Sequence, residues 1–214
     1  MKIAVIGYKG KMGSTVYELL GKYYSVVGVD KDDEFDINVD LVVDFSSSEN
    51  SNFLLDKCTK NKIPLIIGTT GHDEKELLEI KNASKFIPVF KAGNFSTGMQ
   101  NLKNSLKNLI TIDTQDVIIF EKHHRNKKDA PSGTAKEIEQ FITNKFNIEP
   151  SVIYERGGKE IGTHIIDIYY ENEVVSVSHQ AFSRIAFAEG VKKAVEFMIN
   201  VKDNGLYGMA DIKL

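Results

Sequence analysis

Cysteine, proline and tryptophan are scarce in this chain: its 214 residues hold one Cys, four Pro and no Trp. A lone Cys58 forbids an internal disulfide, which fits a reducing compartment. Beside Leu54 and Leu55, it reads as a buried helix residue. A surplus of either charge is also missing, since the net charge is only −3. Such a chain is not built mainly to bind nucleic acid or an anionic membrane. No apolar run approaches the roughly 20 residues of a membrane span. The stretch MKIAVIGYKGKMG lacks the longer apolar core and small-residue cleavage site of a secretory signal, so a cytoplasmic setting is expected. Internal repeats and low-complexity segments are absent as well. A hydrophobic content of 42% suffices for one large domain or two modest ones.

The first half of the chain alternates between two periodicities. Lys2–Gly7, Ser25–Asp30, Asp40–Ser46, Pro64–Thr70 and Phe86–Lys91 are short apolar runs fit for strands buried on both faces. Between them, Met12, Val16, Leu19, Leu20 and Tyr23 recur at helical spacing. Ser47–Asn61 predicts a helix with Phe53, Leu54, Leu55 and Cys58 inward. Asp73 is placed to cap a helix carrying Leu77, Leu78 and Ile80. This order predicts an α/β, Rossmann-like parallel sheet with helices on both faces. After Gly93 the order changes to α+β. A helix over Gly98–Ile110 and a strand over Asp116–His124 are followed by a helix over Ser132–Phe146. Strand-like runs then cover Val152–Glu155, Thr163–Tyr170 and Val174–Ala181, and a helix covers Ile185–Val201. We therefore expect a dinucleotide-binding domain from 1–95 with 185–214, and a second α+β domain from 96–184.

Gly7-Tyr8-Lys9-Gly10-Lys11-Met12-Gly13 follows the first strand and opens the first helix. Glycines there permit a tight turn and let backbone N–H groups approach a pyrophosphate, aided by the helix N-terminus. The GxxGxxG spacing is a weak signal alone. Its context strengthens it, with a strand before, a helix after, and Asp30 about twenty residues beyond Gly10. Asp30 ends the second strand, where a carboxylate accepts bonds from ribose hydroxyls. Asp32, Asp33 and Asp36 lie nearby, so a solvated acidic loop is the alternative. Asp44-Phe45-Ser46 and Gly68-Thr69-Thr70-Gly71 end strands on the same sheet edge, where ligands of open α/β sheets bind.

The densest chemistry lies in Glu121–Ala135, EKHHRNKKDAPSGTA. It combines His123, His124 and a run of cationic side chains with a helix start. Ser132 is one candidate cap, and Thr134 with Glu137 has capping-box spacing. Gly133 and Thr134 would then offer backbone N–H groups to an anion, with Lys127 adding a full charge. A substrate carboxylate suits such a place, and histidine is suited to give a proton near neutral pH. Neighbouring histidines on an extended chain point to opposite faces, which argues against a shared metal, and no metal site is expected.

This stretch resembles the signature of dihydrodipicolinate reductases, E-x-H-H-x-x-K-x-D-A-P-S-G-T-A. Further motifs agree in order: GxxGxMG at Gly7–Gly13, Asp-Phe-Ser at Asp44, Gly-Thr-Thr-Gly at Gly68 and Asn-Phe-Ser-x-Gly at Asn94. Arg-Gly-Gly at Arg156, Ser-Arg-x-x-Phe-Ala-x-Gly at Ser183 and Gly-Leu-Tyr-x-Met at Gly205 complete the set. The likeness covers essentially the whole chain, although this chain is shorter than many members. The savings are expected between Asp30 and Asp40 and in the helix after Gly98.

The resemblance implies NADH- or NADPH-dependent reduction of (2S,4S)-4-hydroxy-2,3,4,5-tetrahydrodipicolinate to tetrahydrodipicolinate in lysine and diaminopimelate biosynthesis. It also implies a homotetramer formed through the sheet of the second domain, and a C-terminal helix returning to the first. By resemblance His123 is the proton donor, and Lys127 stabilises the substrate. With His124, Gly133 and Thr134, Lys127 also binds the substrate carboxylates. Cofactor contacts fall on Gly7, Tyr8, Lys9, Gly10, Lys11, Met12, Asp30, Gly68, Thr69, Thr70, Ala92, Gly93, Asn94 and Phe95. Asp30 leads us to expect NADH to serve at least as well as NADPH. The rival readings are another Rossmann oxidoreductase of the aspartate pathway and a dinucleotide-sensing protein without turnover.

Overall fold

Short apolar runs pair side by side in a computed structural model that describes residues 1–31, 33 and 38–213. The chain divides into two units, Met1–Ser96 with Phe187–Leu214, and Thr97–Ala186. In the first unit β1 (Lys2–Ile6), β2 (Ser25–Val29), β3 (Leu41–Asp44), β4 (Leu65–Ile67) and β5 (Pro88–Lys91) alternate with α1 (Lys11–Leu20), α2 (Ser51–Asn61) and α3 (Glu74–Ala83). The sheet order is β2-β1-β3-β4-β5, with every pairing parallel. A sixth strand, β10 (Gly205–Tyr207), extends it beyond β5. Three residues are too few to carry a strand periodicity, so the sequence does not announce this one. The chain leaves β1 toward β2 on one side and β3 on the other, which creates a topological switch point.

Period-two alternation splits β1 between two layers. Ile3 and Val5 pack with Val16 and Leu20 of α1 and with Val191 and Val195 of α6 (Ile185–Asn200). Ala4 and Ile6 pack with Leu54, Leu55 and Cys58 of α2 and Ile80 of α3. Cys58 is fully buried, and burial pushes its thiol up to about 12. Asp73 caps α3 as expected, in a reciprocal box with Glu76. Three details differ from expectation. The Ser47–Asn61 helix opens with a 3-10 turn at Ser48–Asn50, and the inward face of α2 is Ser51, Leu54, Leu55 and Cys58. Phe53 lies off that face and is 60% exposed, with the Lys57 ammonium over its ring. Tyr23 lies past the end of α1 and is exposed beneath Lys192.

The second unit holds α4 (Thr97–Leu109), β6 (Asp116–His123), α5 (Gly133–Phe146), β7 (Ser151–Arg156), β8 (Gly162–Tyr169) and β9 (Val174–Ala181). The sheet order is β7-β6-β8-β9, parallel only between β6 and β7. One sheet face is covered: Val117, Ile119, Ile166 and Ile168 pack on Leu102 and Leu106 of α4 and on Ile138 and Ile142 of α5. The architecture is the expected α/β unit with a parallel sheet plus an α+β unit. Among the described residues, no helix is long and apolar enough to cross a membrane.

Candidate active site

The expected dinucleotide residues gather at the carboxyl ends of the parallel strands. Gly7 closes β1 with φ +75°, and an added Cβ would stand 2.7 Å from the Phe45 carbonyl oxygen, so glycine is required twice over. Gly13 lets α1 approach the turn, since a Cβ there would come within 2.0 Å of the Gly7 carbonyl oxygen. Gly10 is the N-cap of α1, and no side chain caps that end. Asp30 accepts from the backbone N–H of Lys9 at 3.2 Å and of Lys31 at 2.8 Å. Its own N–H donates to Asp33. Asp32 and Asp36, counted above among its acidic surroundings, lie outside the described residues. Gly7, Asp30, Lys31, Ser46 and Phe53 line a cleft of ≈ 210 Å³. An uncapped helix start, a glycine turn and a carboxylate one strand away suit a pyrophosphate and its ribose.

Several of the expected contacts are already engaged within the protein. Asp44 is buried at the end of β3, and its carboxylate accepts from Ser46 N–H, Ser46 Oγ and Thr69 Oγ1. Burial raises its pKa against those bonds. The Thr69 hydroxyl thus locks two strand ends together, while Thr70 is exposed. After β5, Ala92 and the Phe95 ring are buried, and Phe95 packs between Phe45 and Phe90. Its backbone lies so close to α6 that a Cβ on Gly190 would meet the Phe95 carbonyl oxygen at 1.6 Å. Asn94 accepts from Ser96 N–H. Gly93 is exposed at the rim.

In the second unit, strand alternation puts Glu121 and His123 on the helix-covered face of β6. Glu121 Oε2 bonds His123 Nδ1. Its other oxygen accepts from Ser132 N–H at 3.0 Å and from Arg156 Nη2 at 2.6 Å. Burial would raise the Glu121 pKa, but Arg156, the Ser132 N–H and His123 together hold it below the ordinary range. Burial lowers the pKa of His123, and Glu121 opposes this. His164 stands beside His123, with rings 5.2 Å apart and edge to face. Burial, with His123 adding to it, pushes His164 down to about 3. Glu121, His123 and His164 each bring a ligand atom within 4.8 Å of the others. A metal ion there would have to displace Arg156 and His123 from one carboxylate, so the donor set is that of a hydrogen-bonded charge network.

The anion site expected at α5 lies beside this network. Ser132 is the cap, its hydroxyl accepting from Ala135 N–H. Glu137 instead pairs with Lys103, so the alternative capping box does not form. Lys127 Nζ meets Asp129 Oδ1 at 2.8 Å, and Gly133 N–H donates to Asp129 Oδ2 at 3.3 Å. The Gly133 N–H is therefore engaged, contrary to expectation: Asp129 places its own carboxylate between Lys127 and the helix start. His124 leaves the strand on the other course, its N–H donating to the Glu160 carbonyl. Its Nδ1 is buried without a hydrogen-bond partner among the described residues.

Comparison with known proteins decides the family. A profile described as "Dihydrodipicolinate reductase, C-terminus" matches residues 97–212, and its N-terminal counterpart matches residues 23–95. The chain belongs to the dihydrodipicolinate reductase family. It is 35% identical over 247 aligned residues to the 4-hydroxy-tetrahydrodipicolinate reductase of Clostridium botulinum, covering 99% of this chain and 98% of that protein. The enzyme of the same name from Caldanaerobacter subterraneus is also 35% identical, over 99% and 98% of the two chains. A dipicolinate-bound dihydrodipicolinate reductase from Paenisporosarcina shares the fold, with TM-score 0.79 and 21% identity over 100% and 99% of the chains. Aspartate dehydrogenase from Thermotoga maritima superposes less well, with TM-score 0.59 and 18% identity over 94% of this chain and 97% of that one. The chain is accordingly an oxidoreductase.

In this reductase several residues of the network escaped a reading by sequence. Glu121 and His123 stand two apart, a same-face spacing visible in the sequence, which does not show what else the carboxylate meets. His164 and His179 become neighbours only because β8 and β9 pair in the register His164↔His179. Arg156 reaches Glu121 only because β7 lies parallel beside β6, in the register His123↔Arg156.

Proposed function

We propose that this reductase converts 4-hydroxy-tetrahydrodipicolinate to tetrahydrodipicolinate, with loss of water, using a nicotinamide dinucleotide. The step belongs to lysine and diaminopimelate biosynthesis. The relatives' names and the dipicolinate held by a protein of the same fold support this substrate class. The observation that carries the reading is the grouping of Glu121–His123 with Lys127 and the start of α5. A bound nicotinamide cofactor supplies the hydride. His123 gives the proton that quenches the electron density left on the ring. Lys127 holds a substrate carboxylate, with the Gly133 and Thr134 backbone and His124 completing its surroundings. On arrival that carboxylate takes the place of Asp129 on Lys127 and Gly133. Burial raises the Asp129 pKa, but Lys127 and the Gly133 N–H hold it below the carboxylate range, so Asp129 is an anion and a fair stand-in.

Gly7–Met12 at the open start of α1 would hold the cofactor pyrophosphate, and Asp30 the adenosine ribose. Gly68–Thr70 and Ala92–Phe95 would continue the contacts along the same edge; with the Thr69 hydroxyl engaged and the Phe95 ring buried, those two would offer backbone. NADH serves at least as well as NADPH. The uncovered face of the second sheet carries Ile118, Phe120, Ile153, Ile165 and Tyr169, a surface suited to pairing four copies of the chain.

The test is turnover with synthase-generated substrate, followed at the nicotinamide absorbance band. Wild-type protein is expected to oxidise NADH. His123→Ala is expected to lower kcat by about 10²–10⁴-fold while dipicolinate still binds. Full activity in that variant would remove His123 from the mechanism.

A further inference from the structure

Glu121 has no role of its own in the reaction described above, yet its side chain is completely buried against the groups that have one. Both of its oxygens are used. One takes His123 Nδ1, and the other takes Ser132 N–H and Arg156 Nη2. Ser132 is the residue that caps α5, and its hydroxyl stands 3.4 Å from His164 Nε2. One carboxylate thus joins the proton donor to the helix start that receives the substrate. The opposite edge of the imidazole has been left room. A Cβ on Gly162 would stand 2.9 Å from His123 Nε2, so only glycine clears that nitrogen.

We propose that Glu121 is the positioning residue of the proton-transfer step. Its carboxylate holds the Nδ1 side of His123, leaves Nε2 as the proton-carrying atom, and ties that ring through Ser132 to the carboxylate-binding start of α5. A buried anion there also favours the protonated imidazole, which is the form that can act as the acid.

The charged and titratable groups facing His123 are few. Glu121 lies on its own strand, Lys127 on the loop that follows, Arg156 on β7 and His164 on β8, with His179 one strand further on β9. Lys127 and Arg156 oppose the imidazolium, while Glu121 favours it. The signs follow. Removing the Glu121 charge lowers the His123 pKa, so activity fades at a lower pH. Removing the Arg156 charge raises it, so activity persists to a higher pH.

The proposal rests on His123 being the acid, and the test separates the two. kcat/KM is measured from pH 5 to 9 for wild type, Glu121→Gln, Arg156→Gln and His123→Ala, with His123 titrated in parallel by NMR. In Glu121→Gln the descending limb is expected to move down by about one pH unit. That is about a tenfold loss near pH 7.5, with recovery in acid. In Arg156→Gln the limb moves up, which keeps the proposal testable should Glu121→Gln fail to fold. Equal losses at every pH, or limbs left where wild type has them, would overturn the role of Glu121 while His123→Ala remained inactive. A His123→Ala enzyme with wild-type rate and profile would overturn both assignments.

Discussion

Asp30 follows β2 directly, with its carboxylate bonded to the N–H groups of Lys9 and Lys31. A carboxylate offers about four lone-pair positions, so two remain for the hydroxyls of a ribose. A 2′-phosphate at that place meets like charge, and no arginine stands in the neighbouring sequence to clamp it. Lys31 is the one opposing group in that loop, and a single flexible ammonium blunts the discrimination without reversing it. kcat/KM for NADH is therefore expected to equal or exceed that for NADPH. Asp30→Ala is expected to raise relative NADPH use. A wild-type preference for NADPH of about tenfold, worth roughly 1.4 kcal/mol, would show that Lys31 outweighs Asp30.

Helix α5 carries two duties through one residue. The Ser132 hydroxyl satisfies Ala135 N–H, an orphan donor of the first turn, and the Ser132 backbone N–H is spent on Glu121. Ser132→Ala keeps the second bond and loses the first. A lost cap costs about 1 kcal/mol, so the midpoint of urea unfolding should fall modestly. The carboxylate contact proposed at that helix start would be present before and during the reaction, so loosening it should also raise KM for the substrate more than it lowers kcat. Unchanged stability together with unchanged KM would mean that the cap matters for neither duty. The helix itself was legible, since Ile138 and Ile142 repeat at helical spacing. Its cap was not: Ser132 and Thr134 both have capping chemistry, and the choice fell to Ser132 because Glu121 and His164 meet it there.

At the scale of the whole molecule, the second sheet has two unlike faces. One is sealed by α4 and α5. The other alternates Ile118, Phe120 and Ile165 with Lys122 and Asp167, while Ile153 and Val174 are about half exposed. An apolar sheet face of this kind is either a liability or an interface. We expect a mass of four chains by light scattering at micromolar concentration, and a smaller particle for Phe120→Lys. A wild-type monomer would reject the assembly.

The sequence by itself determined what depends on near neighbours. Strand and helix alternation was readable from apolar periodicity, and the Gly7–Gly13 turn from glycine placement before a helix. The run from Glu121 to Ala135 put two histidines, several cations and a helix start in one continuous stretch. Tertiary structure decided what depends on strands brought together from far along the chain. Glu121, His164 and His179 share a row only through the register of β6, β8 and β9. Arg156 reaches Glu121 across 35 residues, and Thr69 reaches Asp44 across 25. The turn of α2 that put Phe53 in the lining of the same cleft as Asp30 belongs here too, because it followed from which helix face the sheet could bury. Periodicity names the face of an element that is apolar; only packing decides which polar groups meet beneath it.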